Sequence, residues 1–592
     1  MKNLRCFAAR AFLALLLLTL LPGAVFPQTL LRPDTQPQFV HPLPNPLDNV
    51  LLPDTKTYPG YDYYQVAMNQ VRRPLGLFNP TTKMPLETTV WAYGGSFPGP
   101  TFEARRGRPV KVLFTNDLTN DKGLSLPHLL PLDTTLDCGL DSFGDPTYCR
   151  PFVRTVPYLY GARTDDLNSG NPEAWFTAGF AQTGPKWLDK SYDYPNDQEA
   201  ATLWYHDRAI GITRLNVYAG LAGFYLLRDD IEKGLQTSGV LPTYPYEVPL
   251  MIQDRSFYTD GSLAYPQDPF LDEKGNPVSL DPITGRPVPS IIPELYGDFI
   301  LANGVVWPYL KVEPRPYRFR ILNGSDSRFY TLSVSGKYSK GISVVGGDGG
   351  FLNRVVQVRQ LVLAPGERAD VILDFSASAG QTLTLINTAP TPYPAGTAPD
   401  PRTTGRVLQL RVQGGVTPIP WVDLSKPFLL RPPIEWPRPT PGLPTRGVLL
   451  MEGTDSIGRE MPALGTWDFG LMRWSDPVTE TPRAGTTEVW QILNASEYSY
   501  PIHLDGVQVQ VIERQSFDLA AYVPGKPQTL VYTGKPVPPL AEESGWKDTV
   551  KAAPGEVTRI AVSFDLGGEF VWRCSIQSHQ DNEMMRPLFV MH

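Results

Sequence analysis

Short apolar or alternating stretches, separated by Gly and Pro, recur along the whole chain. Residues 110–114 (VKVLF) alternate as a strand with one buried face does, and Val, Thr, Tyr and Phe are frequent in other runs of similar length. The 592 residues include 62 Pro and 51 Gly, which punctuate these runs as turns do. The pattern predicts an all-β protein of sandwich or barrel type, with room for about three to four domains.

The N-terminus departs from this pattern. Basic residues precede an apolar run at 11–21, and Pro-Gly-Ala follows at 22–24. This is the layout of a secretory signal peptide, whereas a membrane anchor needs about 20 apolar residues. We therefore predict a signal peptide at 1–27, an exported mature chain (periplasmic, extracellular or at the cell surface), and no membrane span after signal removal. Residues 28–60 are Pro-rich and are expected to form an extended leader.

Charge and cysteine content narrow the picture further. The net charge of −7 gives no indication of nucleic-acid binding, which normally requires a basic surface. Cys138 and Cys149 bracket a loop of Gly, Asp and Pro, which in an exported protein indicates a disulfide. Metal binding by this pair is the weaker alternative, because the loop contains no His. Cys574 is left without a partner and is either a buried thiol or a metal ligand.

Cys574, His579 and Met584 follow the spacing C-x4-H-x4-M near the C-terminus. A thiolate, an imidazole and a distant thioether are ligands of blue-copper electron-transfer centres, which take a second imidazole from elsewhere in the fold. With its neighbours, the stretch 571–585 (VWRCSIQSHQDNEMM) resembles the last copper motif of the multicopper oxidases, in the branch of spore coat protein A laccase and bilirubin oxidase. Members of that branch read HCH-x3-H-x4-M there.

Further stretches resemble the same branch across nearly the whole mature chain. They are residues 88–101, 303–310, 318–324, 363–375 and 490–496, the last of which (WQILNAS) echoes RILNGS at 320–325. The resemblance and the internal repeat imply three cupredoxin-like Greek-key β-sandwich domains. The expected domains are 61–230, 240–414 and 415–592, with a Pro-rich linker at 431–444.

The resemblance also implies four copper motifs, and this chain departs from each of them. HLHG of the family reads YLYG here, WYHDHA reads WYHDRA, HPIHLH reads YPIHLD, and HCH reads RCS. The former blue-copper site then consists of Tyr500, Cys574, His579 and Met584. The eight positions of the former three-copper cluster are Tyr158, Tyr160, His206, Arg208, His503, Asp505, Arg573 and Ser575.

Only two of those eight residues are imidazoles. A phenol ionises near pH 10 and Arg cannot bind copper, so the cluster positions lack the ligands they need. The mapping instead places the Asp505 carboxylate between the guanidinium groups of Arg208 and Arg573, which can supply charge compensation and hydrogen bonds. The structural interpretation of His206 and His503 is that both are hydrogen-bonded core residues and not metal ligands.

The leading expectation from the sequence is therefore that the chain binds no cofactor. No catalytic residue is assigned. The alternative is copper at one residual site formed by Cys574, His579 and Met584.

Three functions fit these observations. The first is a copper-free binding or scaffolding member of the family, with an unknown protein or small-molecule partner. The second is a copper-dependent oxidoreductase, either laccase-like or limited to electron transfer at a single blue-copper site. The third is a repurposed enzyme that uses the former cluster cavity, where close-set titratable groups perturb one another.

Overall fold

The structure is a computed structural model. It describes residues 28–138, 153–266, 269–280, 285, 287–414, 421–434 and 442–592. The predicted signal peptide at 1–27 and Cys149 lie outside the described residues. Cys138 is disulfide-bonded, and Cys574 is a free, buried cysteine. Within the described ranges, no helix is long and apolar enough to cross a membrane.

The chain is all-β and folds into three cupredoxin-like β-sandwiches, as expected. The first contains eight strands within the described residues: β1 Asp62–Arg73, β2 Thr88–Tyr93, β3 Gly99–Arg105, β4 Val110–Asn116, β5 Pro157–Tyr160, β6 Ser191–Tyr194, β7 Ala201–Asp207 and β8 Ala222–Arg228. They form two sheets with the orders β2-β1-β4-β6 and β3-β8-β7-β5. Strand β4 alternates between buried and half-buried positions, which confirms the predicted strand at 110–114.

Two helices follow β7 and β8: α1 Thr213–Ala219 and α2 Asp230–Thr237. Asp229 caps α2, since its carboxylate accepts a hydrogen bond from the Glu232 backbone N–H at 2.8 Å. Strand β7 is buried at every position. It carries WYHD of the second predicted copper motif, so that motif lies in the interior of the molecule.

The second sandwich follows α2. Its described strands are β9 Glu247–Phe257, β10 Leu263–Ala264, β11 Phe299–Ala302, β12 Val305–Val306, β13 Tyr309–Val312, β14 Pro316–Asn323, β15 Tyr330–Ser335, β16 Ile342–Gly347, β17 Gly350–Val358, β18 Leu361–Leu363, β19 Arg368–Asp374, β20 Thr382–Asn387 and β21 Arg406–Val412. One sheet has the order β12-β11-β9-β14-β19-β16-β17 with β10 on β9, and the other has the order β13-β21-β20-β15-β18.

The third sandwich begins after the Pro-rich segment. Its described elements are β22 Thr445–Thr454, β23 Glu460–Thr466, β24 Gly470–Met472, β25 Thr486–Asn494, β26 Tyr500–Leu504, β27 Val509–Ser516, β28 Thr549–Ala552, β29 Glu556–Phe564, β30 Gly568–Cys574, α3 Gln577–Asp581 and β31 Met585–Val590. The sheets have the orders β24-β23-β22-β25-β29-β27 and β28-β26-β30-β31.

Residues 28–60 contain two short 3-10 helices, Pro33–Thr35 and Pro46–Asp48, and pack on the sandwiches. Leu31 and Leu43 are buried, and the Leu43 backbone N–H donates to the Tyr309 carbonyl at 2.7 Å. Further along, the Leu51 backbone N–H donates to the Thr101 carbonyl at 2.9 Å. The leader therefore connects the second sandwich to the first.

Buried asparagines close equivalent strands of the repeat. Asn323 ends β14, and its amide donates to the carbonyls of Arg328 at 2.8 Å and Leu363 at 3.0 Å. Asn494 ends β25, and its amide donates to the carbonyls of Tyr498 at 2.8 Å and Ala552 at 2.9 Å. Both side chains are fully buried, so the Asn-x-Ser sequences at these positions are structural turns.

We expect Asn494→Ala to destabilise the third sandwich by about 3 kcal/mol. The change leaves two buried carbonyls without their donor and the Ser496 backbone N–H without its acceptor, and each buried orphan costs about 1 to 3 kcal/mol. Chemical unfolding measures the loss. Asn69→Ala, at a half-buried position of β1, is the matched control and should change the unfolding midpoint little. Equal unfolding midpoints for the two variants would contradict the structural role given to the Asn494 amide.

Candidate metal centre and the ion cluster beside it

The first and third sandwiches meet where the predicted cluster positions lie. In the first sandwich, β5 pairs with β7 and places Tyr158 opposite His206. In the third, β26 pairs with β30 and places His503 opposite Arg573. Tyr158 crosses the interface, because its hydroxyl lies 2.8 Å from His503 Nε2. The structure brings together all eight residues mapped to the cluster.

The carboxylate of Asp505 is the centre of this cluster. It accepts hydrogen bonds from Arg208 Nη1 at 2.6 Å, Arg573 Nη1 at 3.2 Å and the Tyr158 hydroxyl at 2.8 Å. Burial alone would raise the pKa of Asp505, but Arg208, His503 and Arg573 together hold the pKa well below its usual range. The predicted acid between two guanidinium groups is thus present, and it is ionised at neutral pH.

Hydrogen bonding fixes one proton on His503. The Tyr158 hydroxyl has a single hydrogen, which it donates to Asp505, so the hydrogen bond to His503 requires an N–H at Nε2. The other ring nitrogen, Nδ1, lies 3.4 Å from Asp548 Oδ1 and 3.3 Å from Thr549 Oγ1. His503 is therefore held on both sides as a hydrogen-bonded residue of the interface.

Tyr160 and Ser575 bond to each other across the same interface. The Tyr160 hydroxyl lies 2.6 Å from Ser575 Oγ and 2.7 Å from Thr549 Oγ1. Burial is the main cause that raises the pKa values of Tyr158 and Tyr160 above the usual range of a phenol. Both phenols are neutral at physiological pH and are poor candidates for metal ligands.

The cluster residues do not fit copper ions. The guanidinium groups of Arg208 and Arg573 lie 4.4 Å and 4.7 Å from the centre of the Tyr158 ring, inside the site. These cations have no acceptor lone pair and repel a metal ion. Within the part of the chain that the structure describes, no group of three or more His, Cys, Asp and Glu residues is arranged to hold a metal.

The predicted blue-copper position has a different character. Cys574 Sγ and His579 Nδ1 face each other at 3.7 Å. The backbone ties the segment together: the Cys574 N–H donates to the Met584 carbonyl at 3.0 Å, and the Met584 N–H donates to the His579 carbonyl at 2.9 Å. All three side chains are buried. A thiol and an imidazole thus face each other in the interior, and Met584 belongs to the same buried core cluster as Cys574.

The protonation state of His579 suits a metal ligand. Burial lowers its pKa to about 3, so the imidazole is neutral, and the carbonyl of Pro293 bonds to the ring. With Nδ1 facing Cys574, that hydrogen bond belongs to Nε2, which also lies 3.8 Å from Glu294 Oε1. A neutral imidazole with its proton on Nε2 presents its lone pair at Nδ1, toward the thiol. Burial also raises the pKa of Cys574, so a metal must displace the thiol proton.

Tyr500 lies where the resemblance expects the second imidazole. Its hydroxyl donates a short hydrogen bond to Glu452, and its ring lies 5.3 Å from that of His579, edge to face. Burial raises the pKa of this phenol well above its usual range. Tyr500 therefore packs beside the site as a neutral side chain, and the fitting donors are the thiolate, the imidazole and the thioether, a set suited to copper.

Several residues of the two sites carry no sequence signal that reveals them. Thr549 and Asp548 reach the cluster because β28 pairs with β26, which places Thr549 opposite His503. Arg368, from the second sandwich, donates to Asp548 at 2.7 Å. Pro293 meets His579 from a loop more than 280 residues away in sequence. Such contacts depend on how the sandwiches pack.

Three cupredoxin-like sandwiches, with a Cys-His-Met site in the last and a buried polar site between first and last, define a multidomain cupredoxin protein. Models of the multicopper oxidase family match residues 78–133 and 458–592. A laccase from Bacillus subtilis is 41% identical over 554 residues, which cover 92% of this chain and 97% of the laccase. This chain belongs to the multicopper oxidase family.

Other relatives agree with this assignment. Multicopper oxidase LPR1 of Arabidopsis thaliana is 33% identical over 587 residues, covering 91% of this chain and 92% of that protein. The crystal structure of McoA multicopper oxidase from Aquifex aeolicus has a TM-score of 0.66 and 23% identity, covering 94% of this chain and all of that one. The structural match supports the fold alone.

The expectation that the chain has no cofactor is wrong by this comparison. Membership of the multicopper oxidase family, with a laccase at 41% identity, points to copper. The expectation gave most weight to the substituted cluster positions. The Cys574, His579 and Met584 site, which that expectation treated as the alternative, is where the described residues fit the metal.

We expect Asp505→Asn to destabilise the protein by about 3 to 5 kcal/mol at pH 7, because it leaves two buried guanidinium groups unneutralised. Arg208→Met combined with Asp505→Leu removes one cation along with the acid and should cost less. Because the folded pKa of Asp505 lies below the unfolded value of about 3.9, the carboxylate stabilises the fold above that value. This stabilisation is lost as the pH falls through the folded pKa.

The measurement is chemical unfolding of wild type, the single variant and the double variant at neutral and acidic pH. The difference between wild type and Asp505→Asn should shrink toward low pH. A neutral effect at pH 7 would show that the carboxylate does not compensate the two cations.

Proposed function

We propose that this protein is a copper-dependent, one-electron redox member of the multicopper oxidase family, in which copper occupies the single site at Cys574, His579 and Met584. The observation that carries the proposal is the 3.7 Å approach of Cys574 Sγ to His579 Nδ1 within a buried site. Bound copper supplies a one-electron couple there. The soft sulfur ligands favour Cu(I), while the imidazole serves both oxidation states.

The protein's own residues prepare this site in three ways. The Pro293 carbonyl holds the proton of His579 on Nε2 and so keeps Nδ1 free. The closed backbone loop from Cys574 through Met584 to His579 fixes the segment that carries the ligands. Burial excludes water from the thiol, which limits its oxidation by other routes.

The same protein is not equipped to reduce oxygen to water. That reaction needs four electrons and, in the family, a three-copper cluster. At the positions mapped to the cluster, Arg208 and Arg573 are hydrogen-bonded to Asp505 inside the fold. These interactions support a protein that exchanges electrons with a donor and an acceptor other than oxygen.

A cavity that can admit a small reductant borders the segment between His579 and Met584. Its volume is about 260 Å³, and part of its wall is formed by the residues that follow His579 in the sequence. These are Gln580, Asp581, Asn582, Glu583 and Met585. A molecule in this cavity touches the segment that carries two of the three ligands, so electron transfer need not cross the body of the protein.

The two other functions inferred from the sequence lead to different results in the same experiments. A binding or scaffolding role leaves Cys574, His579 and Met584 unmetallated when copper is supplied. A repurposed enzyme depends on the cluster residues and is indifferent to Cys574. We include export in the proposal on the strength of the N-terminal pattern at residues 1–27.

Copper loading tests the proposal directly. We expect about one copper per chain and a thiolate-to-copper charge-transfer band in the visible spectrum, since both depend on the Cys574 thiolate. Cys574→Ser should abolish the band, and His579→Gln should weaken copper binding by at least about tenfold, the loss typical when a ligand environment is disrupted. His503→Gln is the matched control in the cluster and should retain both. Copper that persists unchanged in Cys574→Ser would contradict the proposal.

Oxygen consumption supplies an independent check. The copper-loaded protein should be reduced by a small electron donor, seen as bleaching of the visible band, without sustained oxygen uptake during phenol or bilirubin oxidation. The reason is that only two of the eight cluster positions are imidazoles. Uptake that is abolished by a copper chelator and by His503→Gln would show that the cluster positions bind copper after all.

A further inference from the structure

Several buried polar atoms in the ion cluster have no hydrogen-bond partner among the described residues. They are Arg208 Nε, Arg208 Nη2, Arg573 Nε and His206 Nε2. Arg208 is the one described arginine with two such nitrogens, and they form one complete edge of its guanidinium group. The hydrogen bonds of its guanidinium group go to Asp505 at 2.6 Å and to the Gly170 carbonyl at 3.4 Å, both from Nη1. Buried donors of this kind normally have a partner.

The charge balance of the cluster points to a negatively charged partner. Two guanidinium groups, those of Arg208 and Arg573, share the single carboxylate of Asp505. The next charges outward balance one another and add no compensation: Arg368 pairs with Asp548 and Asp348, and Lys547 pairs with Asp348. Burial and the neighbouring Arg573 lower the pKa of Arg208, as expected for a cation that lacks full compensation. One positive charge is left over.

Arg208 needs a hydrogen-bond acceptor, whereas His206 needs a donor. Its Nδ1 lies 2.6 Å from the Asp207 carbonyl, which only accepts, so Nδ1 carries the proton. Burial first, and then the nearby Arg573, keep the pKa of His206 well below its usual value, so the ring is neutral. The unpartnered Nε2 is consequently a lone pair that needs a donor.

We infer that the cluster between the first and third sandwiches binds a small planar monovalent oxyanion that carries one acidic proton, of which hydrogencarbonate is the simplest. Two oxygens of such an anion match the free edge of Arg208, which is the fork geometry that guanidinium groups use for planar oxyanions. Arg208 and His206 both border the Tyr158 ring, at 4.4 Å and 5.3 Å from its centre. The hydroxyl of the anion donates to His206 Nε2, and the single charge neutralises the surplus. This inference concerns the cluster and is independent of the metal site at Cys574.

Titration calorimetry of the copper-loaded protein tests the inference, with sodium hydrogencarbonate, nitrate and chloride compared at one pH and one ionic strength. Hydrogencarbonate should bind with one site per chain. Nitrate, which has the shape and charge but no proton for His206, should bind more weakly, and chloride more weakly still. Equal binding of all three salts would overturn the inference, because it indicates general screening of charge. Absence of binding by hydrogencarbonate overturns it as well.

Variants locate the site. Arg208→Lys keeps the cation that faces Asp505 but removes the fork, so hydrogencarbonate binding should weaken by about tenfold or more, the effect of one charge-assisted hydrogen bond. Arg255→Lys alters another buried guanidinium, away from the cluster, and is the control that should bind as wild type does. Unchanged binding in Arg208→Lys would overturn the assignment. Thermal unfolding without added anion identifies any variant that is misfolded.

If Arg208→Lys does not fold, His206→Phe provides the second test. It removes the lone pair and keeps an aromatic ring, so it should abolish the preference for hydrogencarbonate over nitrate. A retained preference would contradict the role given to Nε2. Metal analysis of the same samples separates this inference from the proposed function, because copper at the cluster positions would exceed one ion per chain.

Discussion

The cluster between the first and third sandwiches depends on one buried carboxylate. Asp505 lies between two guanidinium groups, one from each sandwich, and all three side chains are buried. A buried charge costs several kcal/mol unless it is paired and hydrogen-bonded. The pairing therefore holds the two sandwiches together at the cluster, where Tyr158 and His503 meet. A second buried pair, Arg214 with Asp581, joins the same two sandwiches beside the cavity.

Much of the fold could be predicted because its signals are local. The alternation in residues 110–114 marks β4, and the Asn-x-Ser turns at Asn323 and Asn494 end equivalent strands of a repeat. The cluster and metal positions came from a family resemblance, which assigns residues to places that no spacing within this chain defines. The contacts of Asp548 and Pro293 could not be predicted, since each joins segments that are distant in sequence.

The wrong expectation about the cofactor has a physical explanation. Counting histidines weighs every copper position equally, and eight of the mapped positions belong to the cluster. A blue-copper site, however, uses sulfur ligands that a histidine count ignores. In this chain, Cys574 and Met584 supply two of the three donors that fit, and His579 supplies the third. The chemistry of the ligand set is thus a better guide than the number of imidazoles.

Strand geometry explains how one site can change while the other keeps its ligands. Successive residues of a strand point to opposite faces. On β30, Arg573 faces the cluster while Cys574 faces His579. Ser575, directly after the strand, points back to the cluster and meets Tyr160. On β26, Tyr500 and His503 likewise lie on opposite faces. Substitutions on the cluster face therefore need not displace the metal face, although the two sites share the same two strands.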